Sequence, residues 1–131
     1  MSEPFDMEIA VTEADIDEVG HVSNLVYVRW VLDVAMAHSR ACGWDWSDYR
    51  RLGAVFLVRR HEIDYVASVQ RGQSVVARTW VSDWKLASCT RRTEIRRGDV
   101  VCARAATTWA MCSLASGRPI KIPDELRAQF A

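Results

Sequence analysis

Along the first dozen residues apolar and polar positions alternate, Phe5, Met7, Ile9 and Val11 against Asp6, Glu8 and Thr12. A period of two puts successive side chains on opposite faces, so residues 5–12 are predicted as a strand with one buried face. The period changes at residue 24. Leu25, Val28, Leu32, Ala35, Ser39 and Cys42 recur at helical spacing, and Val31 and Val34 widen the stripe. A helix is predicted over Asn24–Cys42, capped by Ser23 or Asn24 and closed by Gly43 in a left-handed conformation. Few of its positions are charged (Arg29, Asp33, Arg40), which predicts a central helix covered on most sides.

Beyond it, "WDWSDYRRLG" reads as a short helical or irregular connection. Four strand-like stretches follow, roughly Val55 to Ala67, Ser74 to Trp84, Ser88 to Arg97 and Val100 to Cys112. The breaks "QRGQ", "KLA" and "RGD" are short enough for hairpins, so neighbouring strands should be antiparallel. The tail "GRPIKIPDELRAQF" holds a turn, a short extended piece and one helical turn beginning at Pro123-Asp124. No internal repeat, linker or low-complexity tract divides residues 1–131, which are expected to form one domain. The expected class is α+β: a five-stranded antiparallel sheet must wrap the single long helix to hide the apolar faces of both. A sheet around one helix leaves edges exposed, so a homodimer or homotetramer is expected.

Composition narrows the function classes. Acidic and basic residues balance at 17 each, so no global basic field is available to hold nucleic acid. The four cysteines, Cys42, Cys89, Cys102 and Cys112, form no CxxC pair, which argues against a structural zinc site and suits thiols acting as small core residues in a reducing cytosol. No run approaches the ~20 apolar residues of a membrane span, and the start "MSEPFDMEIA" lacks the apolar block of a signal peptide. A cytoplasmic protein is expected.

The chemistry concentrates in "ADIDEVGHVSNLVYVRW", where two aspartates, a glutamate, a histidine and an asparagine fall within eleven residues just before the long helix. A helix N-terminus offers unpaired N–H groups and roughly +0.5 of a charge. A loop that delivers a carboxylate and a histidine there puts a base beside donors for a developing oxyanion. A solvated turn complementing the helix dipole carries the same composition. Asp15, Asp17 and His21 lack a third good ligand at metal-binding spacing, since His38 and His61 lie on other elements, and no metal is expected.

The same segment resembles the signature of the hotdog-fold acyl-CoA thioesterases, the 4-hydroxybenzoyl-CoA thioesterase family, at Asp15, Asp17, Gly20, His21, Val22, Asn24 and Tyr27. Many relatives carry "HVNN" where this chain has "HVSN", so Ser23 replaces an asparagine. The resemblance implies a hotdog fold and hydrolysis of an acyl-CoA to free acid and CoA, with no cofactor beyond the CoA of the substrate. It makes Asp17 the nucleophile or general base, has a backbone N–H near Asn24 polarise the carbonyl, and lets His21 and Asn24 orient water or the carboxylate. Tyr27 falls in the same signature as a substrate contact. "DWKLASCT" resembles the strand that passes the pantetheine arm, which brings in Ser88. CoA phosphates want arginine or lysine near the site mouth, and Arg59, Arg60, Lys85, Arg91, Arg92, Arg96 and Arg97 are candidates, Arg91 among them for substrate binding. Adjacent arginines on a strand point to opposite faces, so at most one of each pair can serve. Asp33 is a second helix carboxylate, placed to pair with Arg29 four residues earlier. A non-catalytic acyl-CoA-binding module and an enoyl-CoA hydratase share this fold and stay open as alternatives.

Overall fold

A computed structural model describes residues 3–130. Strand β1 (Phe5–Ala10) leads through a single 3-10 turn (Glu13–Asp15) into helix α1 (Asn24–Ala41). A short helix α2 (Trp46–Leu52) follows, then strands β2 (Ala54–Tyr65), β3 (Ser74–Ser82), β4 (Ser88–Arg97) and β5 (Val100–Ser113), and helix α3 (Asp124–Phe130). The strands form one antiparallel sheet in the order β1-β3-β4-β5-β2, the hotdog architecture of a sheet curved about one long helix. Consecutive strands β3, β4 and β5 are hairpin neighbours. β1 and β2 are the terminal strands, and β2 bends at a register shift between Val58 and Arg60.

Local signals set the ends of the elements. Ser23 caps α1 by accepting the Leu25 amide at 3.3 Å, and Gly43 leaves it at φ +87°. Asp45 caps α2, accepting the Ser47 amide at 3.0 Å, while Asp48 returns a bond to the Asp45 amide, also 3.0 Å. This reciprocal capping box lets so short a helix persist.

The core is in two parts. One gathers Val22 of the preceding loop and Val26, Tyr27, Trp30 and Val34 of α1 against Val75, Ala77, Ile95 and Cys102 of the sheet, with Phe5, Met7 and Ile9 of β1 packed on it. The other joins Tyr49, Val81, Cys89 and Met111 to Ile122, Leu126 and Phe130 of the tail. All four cysteines are free, and Cys89, Cys102 and Cys112 are buried.

Three expectations are corrected. The buried face of α1 runs through Val26, Tyr27, Trp30, Val31, Val34, Ala35 and His38, not along the stripe that starts at Leu25. Leu25 is 80% exposed and Met36 56%, so the helix is covered on one side only within the chain. Apolar residues stand at nearly every azimuth of this helix, so periodicity alone could not choose the face. The tail forms a seven-residue helix, where one turn was expected, because Leu126 and Phe130 fall four apart and both reach the second core. β1 and β3 stop short: β1 ends at Ala10, opposite the start of β3, and β3 ends at Ser82, just before Asp83 turns to φ +49°.

Candidate active site

The loop between β1 and α1 is held from several directions. The Asp17 amide donates to His21 O at 2.8 Å, and Asp17 Oδ1 accepts the amides of Val19 (3.0 Å) and His21 (3.1 Å). Gly20, at φ +82°, supplies the left-handed residue that this tight reversal needs. The Val22 amide donates to Val69 O (2.8 Å) and the Ser23 amide to Asp15 O (3.0 Å), which ties the loop to the β2–β3 connection and to itself. His21 forms a bridge with Gln70.

Within this frame Asp17, His21 and Asn24 are all exposed. Asp17 has its rotamer fixed through Oδ1, and Oδ2 has no partner among the described residues. At the start of α1, Ser23 Oγ takes the Leu25 amide and Ser23 O takes the Val26 amide at 3.0 Å. The Asn24 amide, first in the helix, has no acceptor among the described residues. An exposed carboxylate and an open, dipole-favoured N–H therefore share one loop–helix junction.

Asp15, two residues before Asp17, is 3% exposed. Its Oδ1 accepts from Arg29 Nη2 at 2.7 Å and its Oδ2 from the Thr12 amide at 2.9 Å. Burial works to raise its pKa, but the Thr12 and Arg29 hydrogen bonds prevail and hold the carboxyl below its ordinary value. Asp33 lies 4.0 Å from the same arginine.

Tyr27 is a core residue, 3% exposed, its ring edge-on to Trp30 and Tyr65 at 5.4 and 5.3 Å, with burial raising the phenol's pKa. It supports the loop from behind. Tyr65, which sequence reasoning passed over, closes the arrangement: its hydroxyl donates to Asn24 O at 3.2 Å, linking the end of β2 to the start of α1. No local pattern marks a contact 41 residues apart, and an aromatic residue at a strand end was the only hint.

Ser88 and Arg91 are not brought to this loop within the chain. The Arg97 end of β4 abuts the segment that anchors the loop, through its bond to Ser68 O. Arg91 lies six residues along the strand, about 20 Å away, and Ser88 nine residues, about 30 Å. Arg91 is 6% exposed and lines a cavity at the far end of α1 with Cys89, Trp84 and Trp109. Of the other candidate cations, Arg60, Arg92 and Arg96 pair with Glu62 (2.7 Å), Asp83 (3.3 Å) and Glu94 (3.0 Å).

Residues 11–130 match the protein family described as the thioesterase-like superfamily. The chain belongs to that superfamily. No curated protein matches its sequence. Solved structures share the fold of this superfamily member at low identity. A 1,4-dihydroxy-2-naphthoyl-CoA thioesterase from Synechocystis superposes with TM-score 0.88 at 16% identity, over 98% of this chain and 96% of that one. A hypothetical protein from Staphylococcus aureus, solved in complex with CoA, gives 0.90 at 14% identity over 97% and 81%. A putative oleoyl thioesterase from Lactobacillus plantarum gives 0.93 at 20% identity, over 98% of this chain and half (50%) of that one.

Proposed function

We propose that this thioesterase-like chain hydrolyses an acyl-CoA thioester to free acid and CoA. The observation that carries the reading is the loop–helix junction inside the matched region, which holds the Asp17 carboxylate and, seven residues on, an Asn24 amide without an acceptor among the described residues. The resemblance of "DIDEVGHVSNLVY" to the thioesterase signature and the CoA-bound structural neighbour support it.

In this reading the thioester carbonyl oxygen lies on the Asn24 N–H at the positive end of α1, which stabilises the charge that develops as the carbon turns tetrahedral. Asp17 faces the carbon with Oδ2, while Oδ1 stays tied to the Val19 and His21 amides so that the group does not swing away. Either Asp17 bonds to the carbon and water later cleaves the anhydride, or Asp17 takes a proton from a water that attacks directly. In both routes the C–S bond breaks, the CoA thiolate takes up a proton and the acid leaves. His21 orients water at the rim. Label found in Asp17 after a single turnover in ¹⁸O-water would establish the first route, because only an anhydride opened at the Asp17 carbon can carry it there.

The test is release of free thiol from short, long and aromatic acyl-CoAs. Asp17→Asn is expected to fold normally and to lose at least about 100-fold in kcat, the scale of a positioned acid–base group. Near-parental turnover would remove the assignment. We also place a second copy against the β2 edge, since β2 is a twelve-residue terminal strand with Leu57 43% and Tyr65 46% exposed.

A further inference from the structure

At the C-terminal end of α1 a cavity of about 490 Å³ opens between that helix, α2, the start of β2 and the strands β3 to β5. Its walls are rich in aromatic rings, with Trp44, Tyr49, Phe56, Trp84 and Trp109 around it. The size is in the range of small-molecule sites, roughly 300–1,000 Å³. On the same helix Ser39 lines it, fifteen residues beyond Asn24, so it lies about 22 Å along the axis from the Asp17 junction.

Two groups in the wall are short of acceptors. Arg91 bonds only through Nη1, to His38 Nδ1 at 2.9 Å and Thr79 Oγ1 at 3.2 Å, and no carboxylate reaches its guanidinium among the described residues. Its charge rests instead against the Phe130 ring, 5.6 Å from the centroid. Trp109 Nε1 is buried and has no partner among the described residues. A buried guanidinium without a counter-charge is strongly unfavourable and an orphaned N–H is costly, so two such groups lining one cavity point to a missing acceptor. Burial lowers the Arg91 pKa to about 10 and, with Arg91 adding to it, lowers that of His38 to about 4. At neutral pH Arg91 is therefore charged, while His38 is neutral and accepts from it.

We propose that this cavity binds an aromatic carboxylate, its ring among the tryptophans and its carboxylate on Arg91 and the Trp109 N–H. Arg40 and Asp45 also line the cavity, so its fixed charges sum to one positive, which a single carboxylate matches. Flat walls suit a flat ring, which gains offset or edge contacts that an alkyl chain does not. The inference stands on the cavity and does not depend on hydrolysis at Asp17.

Isothermal titration of the purified chain with 1-naphthoate and 1-naphthamide tests it, because the two probes share a ring and differ in charge. The expected result is saturable binding of naphthoate, at least ten-fold tighter than the amide. Arg91→Met should equalise the two probes and raise Tm, since a lone buried charge is removed. Arg91→Lys should keep the preference at several-fold weaker affinity, and so decides the matter if Arg91→Met fails to fold. Trp109→Phe should weaken naphthoate alone. Absent saturation, equal affinities in the parent chain, or naphthoate binding unmoved by Arg91→Lys and Trp109→Phe would each overturn the assignment.

Discussion

Asp15 and Asp17 stand two residues apart and face different environments. Asp15 is buried and paired with Arg29, so its removal is expected to cost stability, about 1–2 kcal/mol for Asp15→Asn in urea denaturation. Because its folded-state pKa lies below that of the unfolded chain, its contribution is complete above roughly pH 4 and fades as pH falls through the lower folded value. The gap between parent and Asp15→Asn should therefore narrow on acidification below that point, and a constant gap would contradict the pairing. His38 runs the same way at higher pH. Its pKa falls from 6.5 to about 4 through burial and then Arg91, so the unfolded chain takes up the proton first. Stability is complete above pH 6.5 and should decline by something on the order of 2 kcal/mol between there and pH 4. A His38→Gln variant should lack that decline when unfolding is followed across the same range.

The helix α1 shows why some elements were legible and others not. Its start was plain, because Ser23 is a capping residue directly before an apolar run, and it does accept the Leu25 amide. Ser23→Ala should lower stability by about 1 kcal/mol, read by thermal or urea unfolding. Its buried face was not plain, since Leu25, Val26, Val28, Val31 and Leu32 surround the axis, and only the sheet's position selects Val26, Trp30 and Val34. β4 and β5 were read to within a residue, because Gly98 marks the turn between them, whereas β1, β2 and β3 each end two residues before the expected bound. At the loop, Asp17, His21 and Asn24 fall within eight residues of one another and so could be grouped by eye. Their supports could not: Arg29 reaches Asp15 over fourteen residues and Tyr65 reaches Asn24 over 41. Such contacts exist only once the sheet has formed.

At the scale of the molecule, one end of the sheet carries the Asp17 junction and the other the aromatic cavity, with α1 spanning the distance between them. The β2 edge runs past both, since Val55 and Phe56 line the cavity and Tyr65 touches Asn24. Two copies joined antiparallel along β2 would set the junction of one beside the cavity of the other. Sedimentation should accordingly give about twice the 14.9 kDa chain mass, and Leu57→Asp should shift the population toward one chain. A parent that sediments as a single chain at micromolar concentration would refute that pairing. The tether from the Val22 amide to Val69 O has a different consequence, visible in time rather than in space. A proton bonded across to the sheet connection can be traded for deuterium only when that connection parts from the loop, whereas the Val19 amide, bonded to an exposed side chain two residues away, is released by a small local swing. Slow exchange at Val22 beside fast exchange at Val19 would mark the point where the loop stops moving on its own and begins to move with the fold.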